Sequence, residues 1–161
     1  MNNSENSVLK KLFPNETIKV KATSGRSTIA KSEEVFKFWL DLDFEGYDLD
    51  NPQRITKEIP VEVYEIVANA DFKTIFTSLD QNIDNLCLTQ NQIVEFCKNY
   101  RNYLRSTWTV FFLFKENNEY FVADVYVSLG GLVVYIQRFE DAYVWFADHR
   151  HHVVVPVILW F

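Results

Sequence analysis

The sequence predicts an α+β domain, with about three helices packed on a four- to six-stranded antiparallel sheet that ends in a C-terminal β-meander. Three observations carry this expectation. The stretch Trp108–Phe139 reads WTVFFLFK, ENNE, YFVADVYVSL, GG, LVVYIQRF, which is three runs of β-branched and aromatic residues separated by turn formers. Thr89-Gln90-Asn91-Gln92 has the form of a capping box, in which the Thr hydroxyl accepts the N3 amide and the Gln side chain reaches back to the Thr N–H. Apolar residues recur at helical spacing in Phe72/Ile75/Phe76/Leu79 and in Ile93/Cys97/Tyr100/Leu104, both ahead of the meander.

A chain of 161 residues with 48% apolar and 16% aromatic residues is long and apolar enough to bury one core. The expected organisation is a flexible or loosely ordered N-terminus over 1–16 followed by a single domain over 17–161. The formal charge of −6 opposes the broad cationic footprint that nucleic acid requires. Two cysteines are too few for a disulfide framework, and neither a signal-peptide pattern nor an 18-residue apolar span is present, so the expected location is cytoplasmic with no membrane contact. Cys97 falls on the apolar face of its helix, the place of a buried structural thiol.

In chain order, Val8–Phe13 is a short apolar-basic stretch ended by Pro14. Thr17–Ala22 alternates Ile18, Val20 and Ala22 with Lys19 and Lys21, as an edge strand does. Ser24–Thr28 is a small-residue loop without P-loop spacing. Ser32 before Glu33-Glu34 reads as an N-cap, and five apolar residues in the six positions Val35–Leu40 predict a helix touching two neighbours. Asp41–Pro52 fits the first positions of an EF-hand loop, but Asp48 stands at its apolar position and Pro52 where the bidentate Glu is needed, leaving a solvated acidic loop. Ile55–Ile66 reads as a strand whose Pro60 suits a sheet edge, and Asp71 caps the short helix that follows. After the meander, Asp141–Phe146 and Val153–Phe161 read as further strands. The last five residues, Val157–Phe161, are all apolar and call for cover within the domain or across a homodimer.

Within the meander, Phe121, Ala123, Val125, Val127 and Leu129 share one apolar face, while Tyr120, Val122, Asp124, Tyr126 and Ser128 share the other. In the third run Tyr135 faces with Gln137 and Phe139, and Arg138 with Leu132, Val134 and Ile136. The tyrosine-rich side is either packed under another segment or used for binding. Ionisable residues within apolar strands need a partner: Asp124 and Arg138 either pair across strands, or Asp124 faces a pocket alongside Tyr126 and Tyr135.

All three histidines fall in Asp148-His149-Arg150-His151-His152. On an extended backbone His149 and His151 share a face at a Cα spacing of about 7 Å, within reach of one divalent transition metal with Asp148 as a third ligand. A plain polar turn is the competing explanation. A metal-free variant gives a His the role of general base or acid and Arg150 that of anion stabiliser.

The phrase LCLTQNQIVEFCKNYRNYLRSTWTVFFLF (Leu86–Phe114), with the later YVWFADHRHHVVVP, resembles a group of small bacterial proteins that share the helix, the phenylalanine-rich strand and the histidine-containing end. The resemblance runs from about Ile18 onward and implies no activity, cofactor or residue role. Two functional expectations follow from the residues themselves. One is a cytosolic binding module that engages a protein or small ligand through the aromatic sheet face or the acidic loop. The other is a small metal- or His-dependent hydrolase centred on the DHRHH segment.

Overall fold

The computed structural model describes residues 8–105 and 107–157. Its chain order is β1 (Leu9–Leu12), β2 (Ile18–Val20), β3 (Trp39–Leu40), α1 (Asp43–Gly46), β4 (Ile59–Ile66), α2 (Phe72–Thr77), α3 (Gln90–Asn99), β5 (Val110–Glu116), β6 (Glu119–Ser128), β7 (Gly131–Arg138) and β8 (His152–Pro156). All eight strands join one sheet in the order β1-β4-β8-β5-β6-β7-β3, with β2 also paired to β4. The α+β class agrees with the sequence, but the sheet is larger than four to six strands and mixed: β8 runs parallel to β5, and β3 parallel to β7. The added strands β1 and β3 are 4 and 2 residues long, too short to display alternation. Leu9–Leu12 pairs with Val63–Ile66, so strand structure begins within the stretch read as loosely ordered.

The meander forms as its sequence predicts. Asn117 and Asn118 both take positive φ, +53° and +62°, and close β5 onto β6 with Glu116 opposite Glu119. The second turn is Leu129-Gly130, not the expected Gly130-Gly131, with φ of +45° and +87°. Gly131 already lies in β7 opposite Ser128, where a Cβ would come within 2.9 Å of Phe38 Cβ. Glycine is needed there for the close approach of a neighbouring segment.

That neighbour is the stretch read as a long helix over Ser32–Leu42. It makes a single turn, with the Val35 and Phe36 amides donating to Ser32 O, and then extends into β3 along β7. Ser32 does not cap a helix, because its hydroxyl donates to Thr28 O. A backbone that bonds to β7 through Phe38 N and Asp41 N gains the ladder and still buries Val35 and Phe36, so tertiary pairing overrides local helical periodicity.

Both faces of the sheet are covered. On one, α3, α1 and the segment before it pack on Val110, Phe112, Phe114, Phe121, Ala123 and Val125, with Phe96 edge-on to Phe112 at 5.4 Å. On the other, α2 packs through Phe72, Ile75 and Phe76 on Phe111, Leu113, Val122, Val153 and Val155. Phe111, Phe112 and Phe114 are each fully buried, and side chains of this kind contribute about 1.5–3 kcal/mol apiece. The helix starts follow the sequence: Asp71 accepts from Thr74 N at 2.9 Å, and the Thr89/Gln92 capping box is complete.

Pro60 lies inside β4, between β2 and β8, not at a sheet edge. It fits because its carbonyl points to Val157 N at the end of the β4–β8 ladder, where the missing N–H removes no interior ladder bond. Opposite it, the outward N–H and C=O of Lys19 are both engaged by the Tyr100 hydroxyl. Asp141–Phe146 is not a strand: it crosses the α2 side of the sheet as a loop, held by a two-bond bridge between Ala70 and Trp145. The expectations for Met1–Ser7 and for the last four residues of the apolar end, 158–161, lie outside the described residues.

Candidate functional site

Asp124 sits at the middle of β6, opposite Phe111 of β5 and Tyr135 of β7. It is 6% exposed. One carboxylate oxygen, Oδ2, takes a long 3.4 Å bond from Gln137 Nε2, and the other, Oδ1, is buried with no hydrogen-bond partner. Burial pushes its pKa up to about 7, the Gln137 bond opposes this, and the negative charge of Asp41 adds to the rise. A buried carboxylate without a cation is costly, which is why it holds its proton to near neutrality.

Beside it, the rings of Tyr126 and Tyr135 stack at 6.3 Å with 21° between planes. Tyr135 is 36% exposed and Tyr126 partly so, making a ring pair that is open to solvent. Desolvation raises the Tyr126 phenol, helped by Tyr135 and Asp124, so it stays a neutral donor. The residues 139–151 that cross this face bring Trp145 onto Phe111 at 4.7 Å, and Trp145 Nε1 is buried without an acceptor. Phe111 therefore has an unpaired acceptor, Asp124 Oδ1, across the strand on one side and an unpaired donor, Trp145 Nε1, against its ring.

Of the expected ligand-binding set, the structure gathers Asp124, Tyr126 and Tyr135 and sends Arg138 elsewhere. Arg138 points to the opposite face, pairs with Glu119 at 3.2 Å and lies over the Tyr47 ring at 4.7 Å, so the Asp124–Arg138 ion pair does not form. Their positions on β6 and β7, with Asp124 opposite Tyr135 and Arg138 opposite Phe121, put them on different faces. Gln137 and Trp145 were not singled out by sequence. Gln137 could be found from its two-residue spacing from Tyr135, but Trp145 reaches the face through a loop that carries no periodic signal.

The acidic loop separates from this face. Phe44 of α1 stacks on Phe114 and Tyr47 on Phe121, on the α3 side. Its carboxylates are spent on backbone and neighbours: Asp41 accepts from Ile136 N and Asp43 N, and Asp50 accepts from Thr28 Oγ1.

The histidines divide. Ala147–His149 is a single 3-10 turn closed by Arg150 at φ +52°, and it stacks His149 on His151 at 5.5 Å and 23°. His151 Nδ1 accepts from Thr109 N at 3.0 Å, which leaves Nε2 to carry the proton of the neutral ring. Burial and then the His149 charge push its pKa down to about 4. His152 turns to the other side of the sheet under Trp108. Asp148 and Arg150 are exposed. Among the described residues, no three His, Cys, Asp or Glu side chains are grouped to hold a metal ion.

Elsewhere a groove of about 440 Å³ lies between Gln53, Arg54, Cys87, Thr89, Lys115 and Asn117. Its lining residues Gln53 and Glu116 belong to an amide network centred on the buried Gln90 at the start of α3. Gln90 Nε2 donates to Leu49 O and Glu116 Oε2, Gln90 Oε1 accepts from Ile29 N, and Gln53 bonds Glu116 Oε2 and Gln90 N. Asn91 Oδ1 accepts from Gly25 N. These bonds fasten residues 25–53 to α3. Desolvation raises the Glu116 carboxyl, and burial pushes the Cys87 thiol up to about 12, so that thiol is no nucleophile.

No helix among the described residues is long and apolar enough to cross a membrane. No protein-family model, curated protein or solved structure matches this chain.

Proposed function

We propose that the protein is a cytoplasmic, non-catalytic binding module that engages its ligand through the sheet face formed by Asp124, Tyr126, Tyr135, Gln137 and Trp145. The observation that supports this is the pair of buried polar atoms left unpaired around Phe111, Asp124 Oδ1 and Trp145 Nε1, next to an open tyrosine stack. Native proteins satisfy nearly all such atoms, so an unpaired acceptor and an unpaired donor on one face point to a group supplied from outside. Stacked tyrosines add rigid apolar area with polar tips, the composition of binding surfaces. The acidic loop, on the opposite side of the sheet, is not part of this surface. The hydrolase alternative rests on the His149–His151 stack alone.

The test is a fragment screen of the whole protein read by two-dimensional ¹H–¹⁵N spectra. Binders are expected to move the amides of Asp124, Tyr126, Tyr135 and Gln137, and Tyr126→Ala/Tyr135→Ala is expected to abolish those shifts in a folded protein. Shifts collected instead around Arg54 and Asn117, or no shifts, would overturn the reading.

A further inference from the structure

The tyrosine face lacks one thing that its chemistry demands. No Lys or Arg among the described residues forms an ion pair with Asp124, the charge that acts on it is the like charge of Asp41, and Arg138 on the adjacent strand serves Glu119 on the other face. A desolvated carboxylate with no counter-charge is strongly destabilising unless protonated or paired. The groups that face it from the packed elements are all without positive charge: Phe111 from β5, Tyr126 from its own strand, and Tyr135 and Gln137 from β7.

Beside that carboxylate the two tyrosine rings lie nearly parallel and half open. The face of an aromatic ring carries negative potential and attracts cations, a guanidinium best of all because it is planar, weakly hydrated and stacks. Attraction to a carboxylate through low-dielectric protein does not require direct contact, so a cation seated on the rings would feel Asp124 even though Oδ1 is shielded from water. The net charge of −6 also favours the approach of a basic partner.

We propose that this face takes a guanidinium group, presented as an arginine side chain on a basic segment of a partner protein, with the ion stacked on Tyr126 and Tyr135 and neutralised by Asp124. A protein-borne arginine is preferred over a free small molecule because the ring pair is open and flat, and small ligands bind in concavities that bury most of their surface. The inference rests on the binding-face reading above and names the chemistry that the face selects.

The experiment uses the full chain at pH 8, where Asp124 is ionised. The probes are acetyl-Gly-Arg-Gly-amide, its citrulline counterpart, which keeps the shape and loses the charge, and free propylguanidine. Titrations followed in ¹H–¹⁵N spectra are expected to place the arginine peptide on Tyr126, Tyr135 and Gln137, at least tenfold tighter than the citrulline peptide and tighter than propylguanidine. Asp124→Asn, which keeps the shape of the side chain and should fold at least as well, is expected to erase the preference for arginine over citrulline.

Equal affinity for arginine and citrulline peptides, or an unchanged preference in Asp124→Asn, would overturn the charge-selective inference while leaving a binding face in place. Tighter binding of propylguanidine would overturn the assignment to a partner protein. Shifts from no probe and no fragment at this face would overturn the inference together with the reading beneath it.

Discussion

The His152 imidazole lies flat against the Trp108 indole, with ring centroids 4.4 Å apart and 27° between planes, while its Nδ1 is buried with no partner. Burial, then the neighbouring His151, pushes the His152 pKa down to about 4. A lowered pKa means that the unfolded chain binds the proton first, so this ring contributes stability above its unfolded pKa near 6.5 and loses it as pH falls toward 4. In an Asp124→Asn background, which removes the opposing carboxylate, urea midpoints are expected to drop between pH 7 and pH 5, and adding His152→Phe is expected to flatten that drop. The slope that remains combines His151, whose pKa is lowered in the same direction, with Glu116, whose raised carboxyl opposes it.

Asp124 titrates with the opposite sign. Its folded pKa lies above the unfolded value, from 3.8 to about 7, so the folded state holds the proton longer and the destabilisation grows as pH rises through that window. Asp124→Asn is therefore expected to leave stability nearly unchanged at pH 4 and to raise it at pH 8 by up to about 4 kcal/mol, taking about 1.4 kcal/mol per unit. Chemical denaturation of both proteins at the two pH values checks it. A variant less stable than the wild type at pH 8 would mean that the carboxylate has a cationic partner.

Leu129 combines φ +45° with 92% exposure, so it carries backbone strain with no burial in return. Leu129→Asn would make the β6–β7 turn Asn-Gly, the pair that such positive-φ turns favour. A gain of about 0.5–1 kcal/mol in the unfolding free energy is expected, with the spectrum of the folded state unchanged.

Gly25 and Gly130 share positive φ and differ in surroundings. A Cβ at Gly25 would lie 2.2 Å from Gln53 O and 2.6 Å from Arg54 O, whereas one at Gly130 would meet nothing within 4 Å. Gly130→Ala is expected to cost about 1 kcal/mol for conformation alone, and Gly25→Ala several times that, because the loop must leave Gln53 and Asn91. Thermal midpoints of the two variants, measured side by side, separate steric from conformational cost.

Gln90 is fully buried and bonds Ile29, Leu49 and Glu116 from one side chain. Gln90→Ala would leave Ile29 N–H and Leu49 C=O without their Gln90 partner, at about 1–3 kcal/mol for each that water cannot reach, while Glu116 keeps its bond from Gln53. The expected signature is loss of amide-exchange protection at Ile29 ahead of the sheet, which reports release of residues 25–53 from α3.

The meander, both helix caps and the cluster of Asp124, Tyr126 and Tyr135 were legible in the sequence because each depends on spacing along one continuous segment. The pleat puts residues two apart on the same side, and a capping box needs only four neighbours. Other features depend on what packs alongside. Ser32–Leu42 has helical composition, yet its backbone bonds to β7, and β1 is recognisable only from β4. The amide network at Gln90 joins residues from four separated stretches, and Trp145 reaches the tyrosine face through a loop. The three histidines fall within four residues, but His151, just ahead of β8, lies against Phe111 while His152, its first residue, lies against Trp108 on the other face.

The placement of β8 has a consequence for how the protein is made. The last described strand is not an addition to a finished sheet: it lies between β4 and β5 and, among the described residues, is the sole ladder joining the β1-β4 group to the meander. During synthesis β4 emerges long before β8, and until His152–Pro156 arrives the nascent chain holds two half-sheets with open edges at β4 and β5. Such edges recruit strands from other chains. A chain cut short before residue 152 should therefore aggregate instead of persisting as a smaller domain.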